Sequence, residues 1–185
     1  MTAIGEKFAF TSVRWTELDI GCLLLATAVD AGEVAETLME RTGLAVPGKS
    51  GRLVRDGDRI IIWLSPRSWL VQCPLAEVQA LKSRVCDAFP DAAVHAAVWS
   101  DQLAWFRFSG LDAVELLSRG GFLSLEQDRP AVGCARRTLL ANIKVHLLRP
   151  GADDWLIGVE RSQRLYFVRW LGKQIGGLLE KPDAI

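Results

Sequence analysis

The chain has 185 residues, 22 Lys and Arg against 22 Asp and Glu, half of its residues apolar and 24% charged. Such a balance excludes a disordered tail. With no basic stretch beyond pairs such as Arg136-Arg137, it also offers no footprint for a nucleic-acid backbone or an anionic membrane surface. A chain of this length forms one compact domain or two small ones, burying roughly 70% of the surface its unfolded form exposes.

Residues 1–7 lack the positive region and apolar core of a secretion signal, and the longest apolar run, residues 21–29, falls far short of the ~20 residues of a membrane helix. A cytoplasmic location is expected. The first apolar segment, Cys22-Leu23-Leu24-Leu25-Ala26, reads as a buried strand. A helix follows, entered through Asp30 with Glu33 three residues on, striped by Val34, Leu38 and Met39, and left through Gly43. Residues 46–58, with Pro47, Gly48, Gly51 and Gly57, read as a loop. Ile60 to Leu64 and Trp69 to Gln72 form a hairpin about Ser65-Pro66-Arg67-Ser68.

From Pro74 onward, Leu75, Val78, Leu81, Val85 and Phe89 recur at helical spacing up to Pro90. A boundary near residue 91 divides the chain into subdomains 1–91 and 92–185. Beyond it come strand-like stretches from Ala93 to Trp99 and from Leu103 to Phe108, then a short helix carrying Leu111, Val114 and Leu117. Ile143, Val145 and Leu147, then Trp155, Ile157 and Val159, alternate as two strands about a Pro150-Gly151 turn. The last helix starts near Ser162 with Leu165, Val168, Leu171 and Ile175 inward. Interleaved elements without a βαβ rhythm indicate an α+β fold with mixed or antiparallel sheets.

Gly43-Leu44-Ala45-Val46-Pro47-Gly48-Lys49-Ser50 satisfies the spacing of a phosphate-cradling loop, G-x-x-x-x-G-K-S/T. That loop must follow a strand and open a helix. Here the match follows a helix and leads into a glycine-rich stretch, so it reads as a helix exit; a nucleotide-binding enzyme using Gly48-Lys49-Ser50 is the remote alternative. Only His95 and His146 could serve as imidazole acid–base groups, and His146 shares a strand face with Lys144, which suggests solvent or a satisfied edge position. Cys134 with His146 remains an open nucleophile pairing. Asp56/Asp58 and Asp153-Asp154 read as turn residues rather than metal ligands. Cys22, Cys73, Cys86 and Cys134 form no C-x-x-C pair and read as buried free thiols. No catalytic, cofactor-binding or metal residue is assigned to the chain. Seven tryptophans exceed what a core of this size needs, and Trp99 and Trp105 are the candidates for an exposed partner interface.

Several segments, in order, resemble the gamma subunit of heterotetrameric sarcosine oxidase, a family of the glycine-cleavage T-protein-like, folate-binding superfamily. They are Gly43-Leu44-Ala45-Val46-Pro47 at a helix exit, the turn Leu64-Ser65-Pro66-Arg67-Ser68-Trp69-Leu70, and Phe106-Arg107-Phe108-Ser109-Gly110 ahead of a helix. Gly133-Cys134-Ala135-Arg136-Arg137-Thr138-Leu139-Leu140, the Gly151-Ala152-Asp153-Asp154-Trp155 turn and Arg161-Ser162 complete the set. Val98-Trp99-Ser100 stands where the superfamily has Asp-Val-Ser, so the acid is lost. The altered Ser-Pro-Arg-Ser-Trp turn and the lack of a Lys-Gly-Cys-Tyr-x-Gly-Gln-like motif likewise speak against autonomous folate chemistry. The resemblance implies an accessory, non-catalytic subunit without its own cofactor. Its partners would be large flavoprotein subunits, with FAD, FMN, NAD and tetrahydrofolate in a complex that oxidises an N-methyl amine. A stand-alone tetrahydrofolate-binding one-carbon transfer protein is the alternative.

Overall fold

In a computed structural model of the chain, residues 13–121 and 130–175 are described. Residues 1–7, read above for a secretion signal, lie outside them.

Among the described residues, ten strands form two five-stranded sheets in which every ladder is antiparallel. The strands are β1 (Arg14–Leu18), β2 (Ile20–Thr27), β3 (Leu53–Asp56), β4 (Arg59–Ser65), β5 (Ser68–Pro74), β6 (Val94–Val98), β7 (Leu103–Ser109), β8 (Cys134–Leu140), β9 (Ile143–Gly151) and β10 (Asp154–Glu160). One sheet has the order β3-β4-β5-β2-β6 and the other β1-β7-β10-β9-β8. The helices are α1 (Ala31–Thr42), α2 (Val78–Ala88), α3 (Ala113–Ser118) and α4 (Arg164–Ile175).

Alternation along each strand sends neighbouring side chains to opposite faces, and both faces of both sheets are apolar. Leu23, Leu25, Val71 and Cys73 turn toward α1 and α2, where Val34, Leu38, Leu81 and Val85 meet them. Phe106, Phe108, Ile157 and Val159 turn toward α3 and α4 and pack on Leu116, Phe167 and Leu171. The remaining faces meet each other through Cys22, Ile62, Leu70, Trp105, Leu148 and Leu156. The result is four layers, helices–sheet–sheet–helices, and three cores.

The α+β, antiparallel reading agrees with this arrangement, while the strands do not part at residue 91. β6 lies beyond that point yet pairs with β2, from Leu23↔Val98 to Thr27↔Val94. β1 lies before it yet pairs with β7. Residues 20–98 thus build one sheet, and residues 14–18 cross to join the other.

Local chemistry explains the helix ends. Asp30 Oδ1 accepts from the Gly32 and Glu33 amides at 2.8 and 3.4 Å, satisfying two donors that α1 cannot satisfy internally. Gly43, at φ 72°, returns its N–H to Met39 O and ends the helix in the left-handed region. Met39, expected inward, is exposed; Thr42 is buried instead and donates to Leu38 O at 2.6 Å. In the same way Leu111 and Leu165 lie exposed while Leu116 and Phe167 fill the core. Leu75 is also exposed, in a 3-10 turn at Leu75–Glu77 that precedes α2.

Candidate functional site

Polar and titratable groups gather in the space between the sheets, Gln72, Arg137, His146 and Asp154 among them. Backbone stitches close it: Leu53 N donates to Gly133 O at 2.9 Å and Ala135 N to Gly51 O at 3.0 Å. Across it, Arg137 on β8 donates to Leu64 O on β4. Arg107 grips Asp154 through Nε and Nη2 at 2.7 and 2.9 Å, and Arg55 of the opposite sheet approaches the same carboxylate at 4.0 Å. Glu17 and Arg164 make a further two-point ion pair between β1 and α4, and hydrogen bonding from Arg164 holds the Glu17 carboxyl below its usual range.

A cavity of about 360 Å³ opens in this space beside Ser50, Gly51, Trp63, Arg137 and His146. His146 does not stand at a solvated edge. It sits on the inward face of β9, opposite Arg137 in register and 6.1 Å from the Trp105 ring. Burial, with the neighbouring Arg137 charge, pushes its imidazole down to about 4, so the ring is neutral at physiological pH. Lys144, two residues away on the same face, is exposed. Cys134 and His146 are not a pair: Cys134 stands opposite Arg149, three register steps from the Arg137–His146 rung, and its Sγ accepts from Arg52 at 3.9 Å. His95 is exposed on β6, in the other sheet.

The G-x-x-x-x-G-K-S match has no phosphate-cradle geometry. It leaves α1 and leads into β3 rather than opening a helix, with Leu44 and Pro47 buried and Lys49 exposed. Trp69 Nε1 donates to Pro47 O at 3.0 Å, pinning the segment to the core. Asp56, the last residue of β3, and Asp58, in the turn that follows it, are both exposed. Among the described residues no group of three or more His, Cys, Asp or Glu could hold a metal ion.

Of the four thiols, Cys22 and Cys73 are buried, Cys134 is half-buried and Cys86 is exposed, which corrects the expectation that all are buried. Burial pushes the Cys22 thiol up to about 12, and Cys73 is raised by the same cause. Trp105, expected at a partner surface, is 1% exposed. It faces Gly158 across the β7–β10 ladder, and a Cβ there would lie 2.6 Å from its ring, so the indole lies over a position that only glycine leaves open. Its Nε1 is buried without a hydrogen-bond partner. Trp99 is half-buried against the inter-sheet core; its amide donates to Cys22 O, and Ser100 Oγ accepts from Cys22 N.

Antiparallel sheets face to face, each backed by helices, define an α+β sandwich of the kind seen in glycine cleavage system aminomethyltransferase T from Bartonella henselae. The two share 9% identity and a TM-score of 0.66, over 87% of this chain and 45% of that one. The structure is also similar to a chain of heterotetrameric sarcosine oxidase from Corynebacterium sp. U-96, with a TM-score of 0.78 and 24% identity, covering 92% of this chain and 88% of that one. The family model for the sarcosine oxidase, gamma subunit family matches residues 26–175, and the chain belongs to that family. No curated protein sequence matches significantly.

Proposed function

We propose that the chain is the accessory, structural subunit of a multimeric sarcosine-oxidase-type complex that oxidises an N-methyl amine. Large flavoprotein subunits are its partners, and FAD, FMN, NAD and tetrahydrofolate belong to them. The observation that carries this reading is family membership over residues 26–175. Fold likeness along nearly the whole of one chain of a heterotetrameric relative supports it.

The chemistry inside the chain is consistent with a supporting role. His146 is held neutral against Arg137, away from Cys134, and Asp154 is held at two points by Arg107. No helix among the described residues is long and apolar enough to cross a membrane, and the proposed location is the cytoplasm. The full chain, expressed alone, is expected to be colourless and to bind neither tetrahydrofolate nor ATP at submillimolar concentration in a calorimetric titration. Submillimolar tetrahydrofolate binding would move the folate chemistry into this chain and overturn the reading.

A further inference from the structure

Away from His146, a second cavity of about 260 Å³ lies between the sheets. Its floor is a row of residues in direct cross-strand register, Arg55↔Ile60 and Ile60↔Gln72, and such partners share one face of a sheet. The face is the inward one, since Gln72 has the strand parity of Leu70, which packs between the sheets. From the other sheet, Arg107, Leu156 and Asp154 close over the row, with Leu18 and Ile20 supplying an apolar wall.

Two groups in this cavity are under-used. Gln72 is 3% exposed, and its Nε2 has no hydrogen-bond partner. A buried amide N–H₂ left unpaired costs free energy that a bound acceptor would recover. Arg107 spends two donors on Asp154, whereas Arg55 reaches that carboxylate only at 4.0 Å, leaving its guanidinium donors available. Asp58 also lines the cavity, but it is exposed, and Asp154 is already neutralised by Arg107.

We propose that this cavity is a binding site for a small organic acid, its carboxylate held over Ile60 between Gln72 Nε2 and Arg55 and its apolar body against Leu18, Ile20 and Leu156. A carboxylate accepts from both donors at once, and its charge meets the one arginine here that lacks a close counter-ion. The volume lies just under the ~300–1,000 Å³ of drug-sized pockets, which restricts the ligand to a small acid.

The test is a titration of the full chain with benzoate, and with benzamide as the uncharged control, read by melting temperature and calorimetry. Benzoate is expected to bind with a dissociation constant of about a millimolar or tighter and to raise the melting temperature. Benzamide, Gln72→Leu and Arg55→Met should each weaken binding about tenfold or more. Arg55 is half exposed, so that variant remains informative even where Gln72→Leu disturbs folding. The proposal is overturned when benzoate leaves the melting temperature unchanged, as it would where water alone serves Gln72. Equal binding of benzamide, or undiminished binding to Arg55→Met, overturns it too. None of these results bears on the subunit assignment, which is read from partners rather than from small acids.

Discussion

Trp105 and Gly158 show how one residue sets another's place. A methyl at position 158 would stand 2.6–2.8 Å from three atoms of the indole. Gly158→Ala should therefore overpack the inter-sheet core and cost about 1–3 kcal/mol in urea unfolding. Trp105→Phe in that background should recover part of the loss. His146 provides a pH signature. Its folded-state value of about 4 lies below the 6.5 of a free imidazole, so between these limits the unfolded chain binds the extra proton. Stability is full above pH 6.5 and falls as pH drops toward 4, by up to about 1.4 kcal/mol per unit. Unfolding followed from pH 7 to 5 should show this slope, and His146→Gln should flatten it. Among the thiols, Cys86 should react first with a thiol reagent, while Cys22 and Cys73 should wait for unfolding.

The elements differ in how openly the sequence declares them. α1 was legible because Asp30 and Gly43 mark its ends chemically, and Asp30→Ala should cost about 1 kcal/mol in thermal unfolding. The β4–β5 hairpin was legible because two apolar runs flank a Ser-Pro turn, whose Ser65 and Ser68 hydroxyls meet at 2.6 Å. Three strands were not. β3 hides among the glycines and proline of residues 46–58, because its edge position exposes Arg55 and Asp56. β1 is half polar, with Trp15 toward the helices and Glu17 held by Arg164. β8 reads as polar at Arg136-Arg137, and its turn into β9 uses Ala141 and Asn142, both at positive φ, where Asn-Gly would have signalled a hairpin. The cleft residues were equally hidden. Nothing local in Gln72 or Arg55 marks a site; register across β3, β4 and β5 brings them onto one face. Lys49 is the converse case, a spacing match without the supporting fold. Lys49→Ala should change stability by no more than about 0.5 kcal/mol.

At the scale of the whole molecule, the exchange of β1 and β6 ties the two sheets together. A cut at residue 91 would leave the first piece without β6 and the second without β1, exposing a ladder edge in each. The third core, shared by both sheets, would be opened as well. Neither piece should fold alone, and the intact chain should unfold in one transition by tryptophan fluorescence and by circular dichroism. The subunit assignment turns on partnership, and the native mass and absorbance spectrum of what is recovered when this chain is affinity-purified from its own host test it first. A yellow assembly far heavier than the 20.4 kDa chain, with flavin in the larger subunits, is expected. A colourless species near the mass of the chain itself would contradict it.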